Sequence, residues 1–233
     1  MIPWERLDAV TLPDGQELKL MRRGREFSIM LGANELMNSR LSGSEEALAT
    51  LACARIAGRR EPRVLIGGLG MGFTLRAALG VLGSDARVTV AELVPAVVAW
   101  ARGPMAEVFA GCLEDARVSV REGDVGAVIA EAAASFDAIL LDVDNGPEGL
   151  TRADNDALYS AAGLRRAHAA LKPGGVLTVW SSGPDPAFTR RLKQAGFAAE
   201  EVPTRAGRGR GARHMIWLAT RPGATGPGAT KPA

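Results

Sequence analysis

Cysteine is scarce: Cys53 and Cys112 are the only two in 233 residues, and they stand far apart. So few thiols exclude a disulfide-stapled scaffold and suit a reducing compartment in which both stay free. With no histidine partner in sight, both read as structural. A surplus of one charge is also missing. The net charge of +2 excludes the global signature of a nucleic-acid or membrane-surface binder. No apolar run reaches the length needed to span a bilayer. Met1 to Arg6 lacks a basic stretch followed by an apolar core, so no secretory signal is read there. Internal repeats are absent. The expectation is a cytoplasmic chain with no membrane partner.

What the chain does have is apolar residues, at 47%, enough for one α/β domain with a small appendage. The organising stretch runs from Val64 to Glu92. Val64-Leu65-Ile66-Gly67 is an apolar run of strand length, and Gly68-Leu69-Gly70-Met71-Gly72 follows at once. Phe73 to Leu82 has helical character, Arg87 to Ala91 reads as a second strand, and Glu92 sits at its tip. Strand, glycine turn, helix, strand and acid make the plan of a nucleotide-binding βαβ unit. The glycines let a ligand approach the main chain, and the helix start offers unpaired N–H groups. A carboxylate at the next strand tip can accept both hydroxyl protons of a ribose.

Upstream, residues 7–37 read as β structure, with a hairpin of Glu17–Met21 and Glu26–Leu31 around Arg22-Arg23-Gly24-Arg25. Ser42 or Ser44 is placed to cap a helix that Glu45 and Glu46 favour electrostatically and Gly58 ends. Downstream come a helix from Val94, a third strand to Val120 before Gly123-Asp124, and an alanine-rich helix from Val125. Phe136 to Leu141 is a strand nearly all apolar, as one covered on both faces should be, and it runs into Asp142-Val143-Asp144-Asn145. Thr151 and Asp154 suggest a capping box for a helix that Lys172-Pro173-Gly174-Gly175 stops. Val176–Trp180 is a fifth strand, Pro186–Ala195 a helix, and Phe197–Val202 and His214–Thr220 a last antiparallel pair around an arginine-glycine loop.

Alternating strands and helices predict a Rossmann-like, doubly wound, mostly parallel sheet with an antiparallel C-terminal strand. A small N-terminal β-hairpin region precedes it. Ligands bind beyond the carboxyl ends of such strands. Glu92, Asp124, Asp142 and Asp144 all fall at those ends. Acids gathered there repel one another unless a ligand or basic group sits among them. Asp142, Asp144 and Asn145 offer oxygens of the kind hard cations take, but a further placed ligand is missing and no metal is assigned.

These residues resemble the spermidine synthase (polyamine aminopropyltransferase) family, which shares the class I S-adenosylmethionine methyltransferase fold. The glycine turn, Glu92, Gly123-Asp124, Asp142, Leu158-Tyr159, the Lys-Pro-Gly-Gly stop and Pro203-Thr204 carry the likeness. It implies a methyltransferase-like domain over residues 42–220, after the hairpin region 1–41 and before a Pro/Gly-rich tail, 221–233, expected to be disordered. It implies that Gly68, Gly70 and Gly72 pack against an adenosyl ligand's sulfur end. Met71 would flank the same ligand. Glu92 would hold the ribose, and Asp124 with Gly123 the adenine amino group. Asp142 would be the catalytic acid, with Asp144 beside it, and a homodimer is implied.

Five positions depart from the family pattern. Met71 replaces the aspartate that binds the aminopropyl ammonium, Glu45-Glu46 replace Tyr-His, Asn145 replaces an aspartate, and Arg205 replaces a tyrosine. Losing a carboxylate and gaining Arg205, Arg208, Arg210 and Arg213 nearby disfavours a dicationic acceptor. The first expectation is therefore methyl or related alkyl transfer from S-adenosylmethionine to a polar or anionic small-molecule acceptor. Asn145, Trp180 and Arg205 would line its site, and S-adenosylmethionine would bind more tightly than its decarboxylated form. The alternatives are aminopropyl transfer from decarboxylated S-adenosylmethionine, or a non-catalytic module binding a nucleoside, or RNA through the arginines. His168 and His214 are expected at a core edge and a strand end.

Overall fold

A computed structural model describes residues 2–143, 157–207 and 210–223. The N-terminal hairpin is real but is only the centre of a larger unit. Strands β1 (Glu5–Thr11), β2 (Glu17–Arg23), β3 (Glu26–Leu31) and β4 (Asn34–Asn38) form an antiparallel sheet in that order. Alternation sets its inner face: Leu18 and Leu20 of β2 and Phe27, Ile29 and Leu31 of β3 are buried. That face joins one continuous core with Leu48, Ile66 and Val90, so the small sheet is no detached appendage.

Helix α1 (Gly43–Arg55) follows. Neither serine caps it as expected. Ser42 holds the N-cap position without a side-chain cap bond, and its hydroxyl goes instead to Glu46 Oε1 at 2.8 Å. Then come β5 (Arg63–Gly67), α2 (Phe73–Val81), β6 (Arg87–Glu92), α3 (Pro95–Arg102), α4 (Ala106–Phe109), β7 (Val118–Glu122) and α5 (Val125–Ala130). The short α4 was not anticipated. The second half holds β8 (Phe136–Leu141), α6 (Ala161–Ala170), β9 (Leu171–Ser181), α7 (Pro186–Gln194), β10 (Ala198–Gly207) and β11 (Arg210–Thr220).

The large sheet has the order β10-β11-β9-β8-β5-β6-β7. β5 to β9 pair in parallel, and β11 runs antiparallel to both β9 and β10. The chain therefore winds outward from β5 in both directions, and the β5/β8 boundary is the switch point. All six residues of β8 are buried. The arginine-glycine segment is mostly strand rather than loop: β10 and β11 extend through it as far as the Gly207↔Arg210 pair. Arg208 lies outside the described residues, as do Thr151 and Asp154. Ser160 caps α6, accepting from the Gly163 N–H at 3.1 Å.

The edge opposite the site is fastened by Asp137. Its carboxylate is buried, paired with Arg59 at 2.7 Å and Lys172 at 2.7 Å, and it accepts from the Arg63 N–H at 2.8 Å. Arg221, expected to open the tail, instead exchanges backbone bonds with Gly174 and Gly175, and its guanidinium reaches the His168 carbonyl at 3.0 Å. No described helix is long and apolar enough to cross a membrane.

Candidate active site

Register brings the site together. Gly67 of β5 lies level with Ala91 of β6 on one side and Leu141 of β8 on the other. The next residue of each strand is Gly68, Glu92 and Asp142, so all three leave the sheet at one height. Leu141 is level with Val179, which puts Trp180 beside Asp142 on the same rim. Glu92 is level with Glu122, and Gly123-Asp124 emerge one step beyond. Two adjoining cavities open above this rim.

The first cavity is lined by Gly68, Gly70, Glu92, Gly123, Asp124 and Asp142. Leu18, Ile29 and Leu31 of the N-terminal sheet close its far wall, with Asp14 at the β1–β2 turn. The hairpin reading did not anticipate this wall, because the inner-face leucines look like ordinary core in the sequence. Glu92 is buried. Its Oε2 accepts from the Leu69 N–H and its Oε1 from the Val94 N–H, both at 2.8 Å. Those bonds aim the carboxylate while each oxygen keeps a lone pair for a ligand hydroxyl. Burial raises the Glu92 pKa, and the backbone N–H groups only partly oppose it. Asp124 is exposed and caps α5, accepting from the Gly126 N–H at 2.8 Å, while it also faces the cavity.

The glycines divide by role. A side chain at Gly68, which has φ +89°, would meet the Asp142 carbonyl oxygen at 2.3 Å, so the turn passes Asp142 only without one. Gly72 is corrected: it faces Phe109 of α4, whose ring would meet a side chain there at 2.5 Å, and it lines neither cavity.

The second cavity is lined by Glu45, Asn38, Met71, Phe73, Asp142 and Trp180. Gly70, Leu36, Met37 and Asp142 belong to both cavities, so Met37 stands at the junction. Asp142 Oδ2 accepts from the buried Thr74 hydroxyl at 2.6 Å. Desolvation first, and then the neighbouring Glu45 charge, push the Asp142 pKa up to about 7. Burial also raises Glu45. Glu45 reads from sequence as a dipole-favouring residue, or, in the aminopropyl alternative, as a source of the lost negative charge, and it lines this cavity. Thr74 and Ser44 were missed because hydroxyls within helical runs carry no sequence signal.

Arg205 is also corrected. It is exposed, donates to the Gly211 carbonyl at 3.2 Å, and lines neither cavity; Arg213 is exposed as well. Asp144 and Asn145 lie outside the described residues. Among the described residues no three His, Cys, Asp or Glu side chains converge on a metal position. Cys53 and Cys112 are free and buried, and burial pushes both thiols up to about 11. His168 packs edge-on against Phe197, and His214 against Trp180.

The spermine/spermidine synthase domain model matches residues 44–191. The chain belongs to that family. Among curated relatives, the polyamine aminopropyltransferases of Mycobacterium tuberculosis and Mycobacterium bovis are 36% identical over a 155-residue alignment that covers 60% of this chain. The match spans 28% of those relatives' own length. Solved spermidine synthases share the fold. One in complex with the transition state analogue AdoDATO gives a TM-score of 0.73, and the Thermotoga maritima protein gives 0.74. Each is 17% identical and covers 93% of this chain and 72% of the other.

Proposed function

We propose that this chain transfers an aminopropyl group from decarboxylated S-adenosylmethionine to a small amine. One observation carries the reading: the second cavity pairs two carboxylates, Glu45 and Asp142, with the rings of Phe73 and Trp180, and no basic side chain is among its described lining. Acids and aromatic faces suit an ammonium ion, and an anionic acceptor would be repelled. The expectation of an anionic acceptor rested on the arginines, and the described Arg205 and Arg213 side chains point to solvent.

The first cavity fits the donor. Glu92 has lone pairs for the ribose hydroxyls, Gly68 and Gly70 give close backbone approach, and the apolar wall covers the base. When bound, the donor supplies a carbon activated by a sulfonium leaving group. Asp142 and Glu45 hold the acceptor amine so that its nitrogen lone pair faces that carbon at the shared rim. As the carbon–nitrogen bond forms, the carbon–sulfur pair leaves with sulfur, and the acid pair takes the amine proton. A carboxyl with a pKa near 7 is matched to that task.

The donor preference follows from charge. A tail directed past Gly70 toward Glu45 and Asp142 meets negative charge, which favours a bare ammonium over an added carboxylate. This reverses the order expected from Met71 alone. Calorimetry with both donors is expected to show tighter binding of the decarboxylated form, and mass spectrometry to show aminopropylated putrescine. Tighter S-adenosylmethionine binding with methylated product would overturn the reading and favour methyl transfer, which the neutral Met71 would support.

A further inference from the structure

We propose that Ser44 and His214 carry the released proton out of the acceptor cavity, a deepening that rests on the amine-transfer reading. Among the described residues the Asp142 carboxylate is bonded to the Thr74 hydroxyl, which leads back to the α1 backbone at the Glu45 carbonyl. Glu45, in the same cavity, has a bonded path outward. The fully buried Ser44 hydroxyl meets Glu45 Oε2 at 2.7 Å and His214 Nδ1 at 2.9 Å. His214 is half-buried within β11, opposite Thr204, rather than at the strand end expected from the sequence, and its ring stacks edge-on against Trp180 at 4.7 Å. A polar chain thus runs from the cavity acid, across a helix N-terminus, to an imidazole at the protein surface.

The step balances. Alkylation leaves one surplus proton on the product nitrogen. Glu45 takes it and passes it to Ser44 Oγ, while Ser44 gives its own hydroxyl proton to His214 Nδ1. The imidazolium then loses its Nε2 proton to solvent, Glu45 is again a carboxylate, and exchange of the ring from the Nδ1–H to the Nε2–H tautomer through solvent restores Nδ1 as the acceptor for the next turnover. Ser44 and His214 act through Glu45 and do not touch the acceptor, so they are positioning and relay residues.

The test separates relay from support. His214→Asn keeps a hydrogen-bonding group toward Ser44 but cannot carry a proton, and His214→Ala opens a notch at the surface. The relay predicts that both variants lose about ten-fold or more in kcat with an unchanged KM for putrescine. It also predicts that added imidazole restores His214→Ala. An Asn variant within two-fold of the unmodified protein, or no rescue of the Ala variant, overturns it. A second readout does not need turnover: the His214 Nδ1 resonance should shift in both Ser44→Ala and Glu45→Gln. No shift in either overturns the relay while leaving amine transfer standing. An unmodified protein that alkylates no amine, yet shows both shifts, faults the function and keeps the hydrogen-bonded chain.

Discussion

Asp142 and Glu92 are both strand-tip carboxylates near one rim, yet their surroundings assign them different work. Glu92 is pinned by two backbone N–H groups and lines the first cavity but not the second. Asp142 is bonded by one hydroxyl, borders both cavities and has a pKa near 7. Glu92→Ala should therefore weaken nucleoside binding about 10–100-fold, the value of a hydrogen bond to a charged group, as read by calorimetry. Asp142→Asn should keep that binding and lower turnover by about 10²-fold or more. Unchanged donor affinity in the first variant, or unchanged turnover in the second, would remove these assignments. Gly68 is the third residue of note. Gly68→Ala forces a side chain onto the Asp142 carbonyl, and a denaturant midpoint should report a loss of about 1–3 kcal/mol.

At the level of elements, the parallel strands act as a levelling device. Their common register delivers Gly68, Glu92 and Asp142 to one height, while the N-terminal sheet closes the wall that the strands leave open. The opposite edge needs its own fastening, supplied by Asp137 between Arg59 of the α1–β5 connection and Lys172 of β9. Burial raises the Asp137 pKa, but the Arg63 N–H and the two cations outweigh it, so the carboxyl sits below its ordinary value. A depressed acid contributes stability above its unfolded pKa and loses it as pH falls through the folded one. Asp137→Ala should cost about 2 kcal/mol at pH 7 and less as the pH falls below the ordinary carboxylate range, read by urea titration at pH 7 and at low pH. An equal cost at both would show that packing, not charge, fastens this edge.

For the whole molecule, the ligand-free site works against the fold. The raised Asp142 pKa means the native state binds more protons than the unfolded chain. Stability contributed by this group is greatest below the ordinary carboxylate pKa of about 4 and falls as pH rises through about 7. Asp142→Asn removes that loss, so thermal melting at pH 8 should show a variant more stable by roughly 2–4 kcal/mol. The gain should vanish near pH 4. A variant no more stable at pH 8 would mean that the carboxylate is not strained in the free protein. A buried carboxylate that weakens the fold is what a site assembled to bind charge costs.

Sequence alone determined the βαβ plan, the mostly parallel sheet and the acids at its strand tips, because strand periodicity, glycine turns and chain order are local signals. Phe136 to Leu141 shows this directly: apart from Asp137 the run is apolar, and its strand length suits a strand covered on both faces. Tertiary structure alone decided which residues meet. Arg205 and Arg213 are exposed because the hairpin strands continue through them, and Glu45 enters the second cavity because α1 packs across the sheet rim. Ser44, Thr74 and the wall from β2 and β3 gave no local sign, since hydroxyls in helices and leucines in strands look alike wherever they face. Composition and spacing locate the charge, whereas only packing fixes its direction, and direction separates a cationic acceptor from an anionic one.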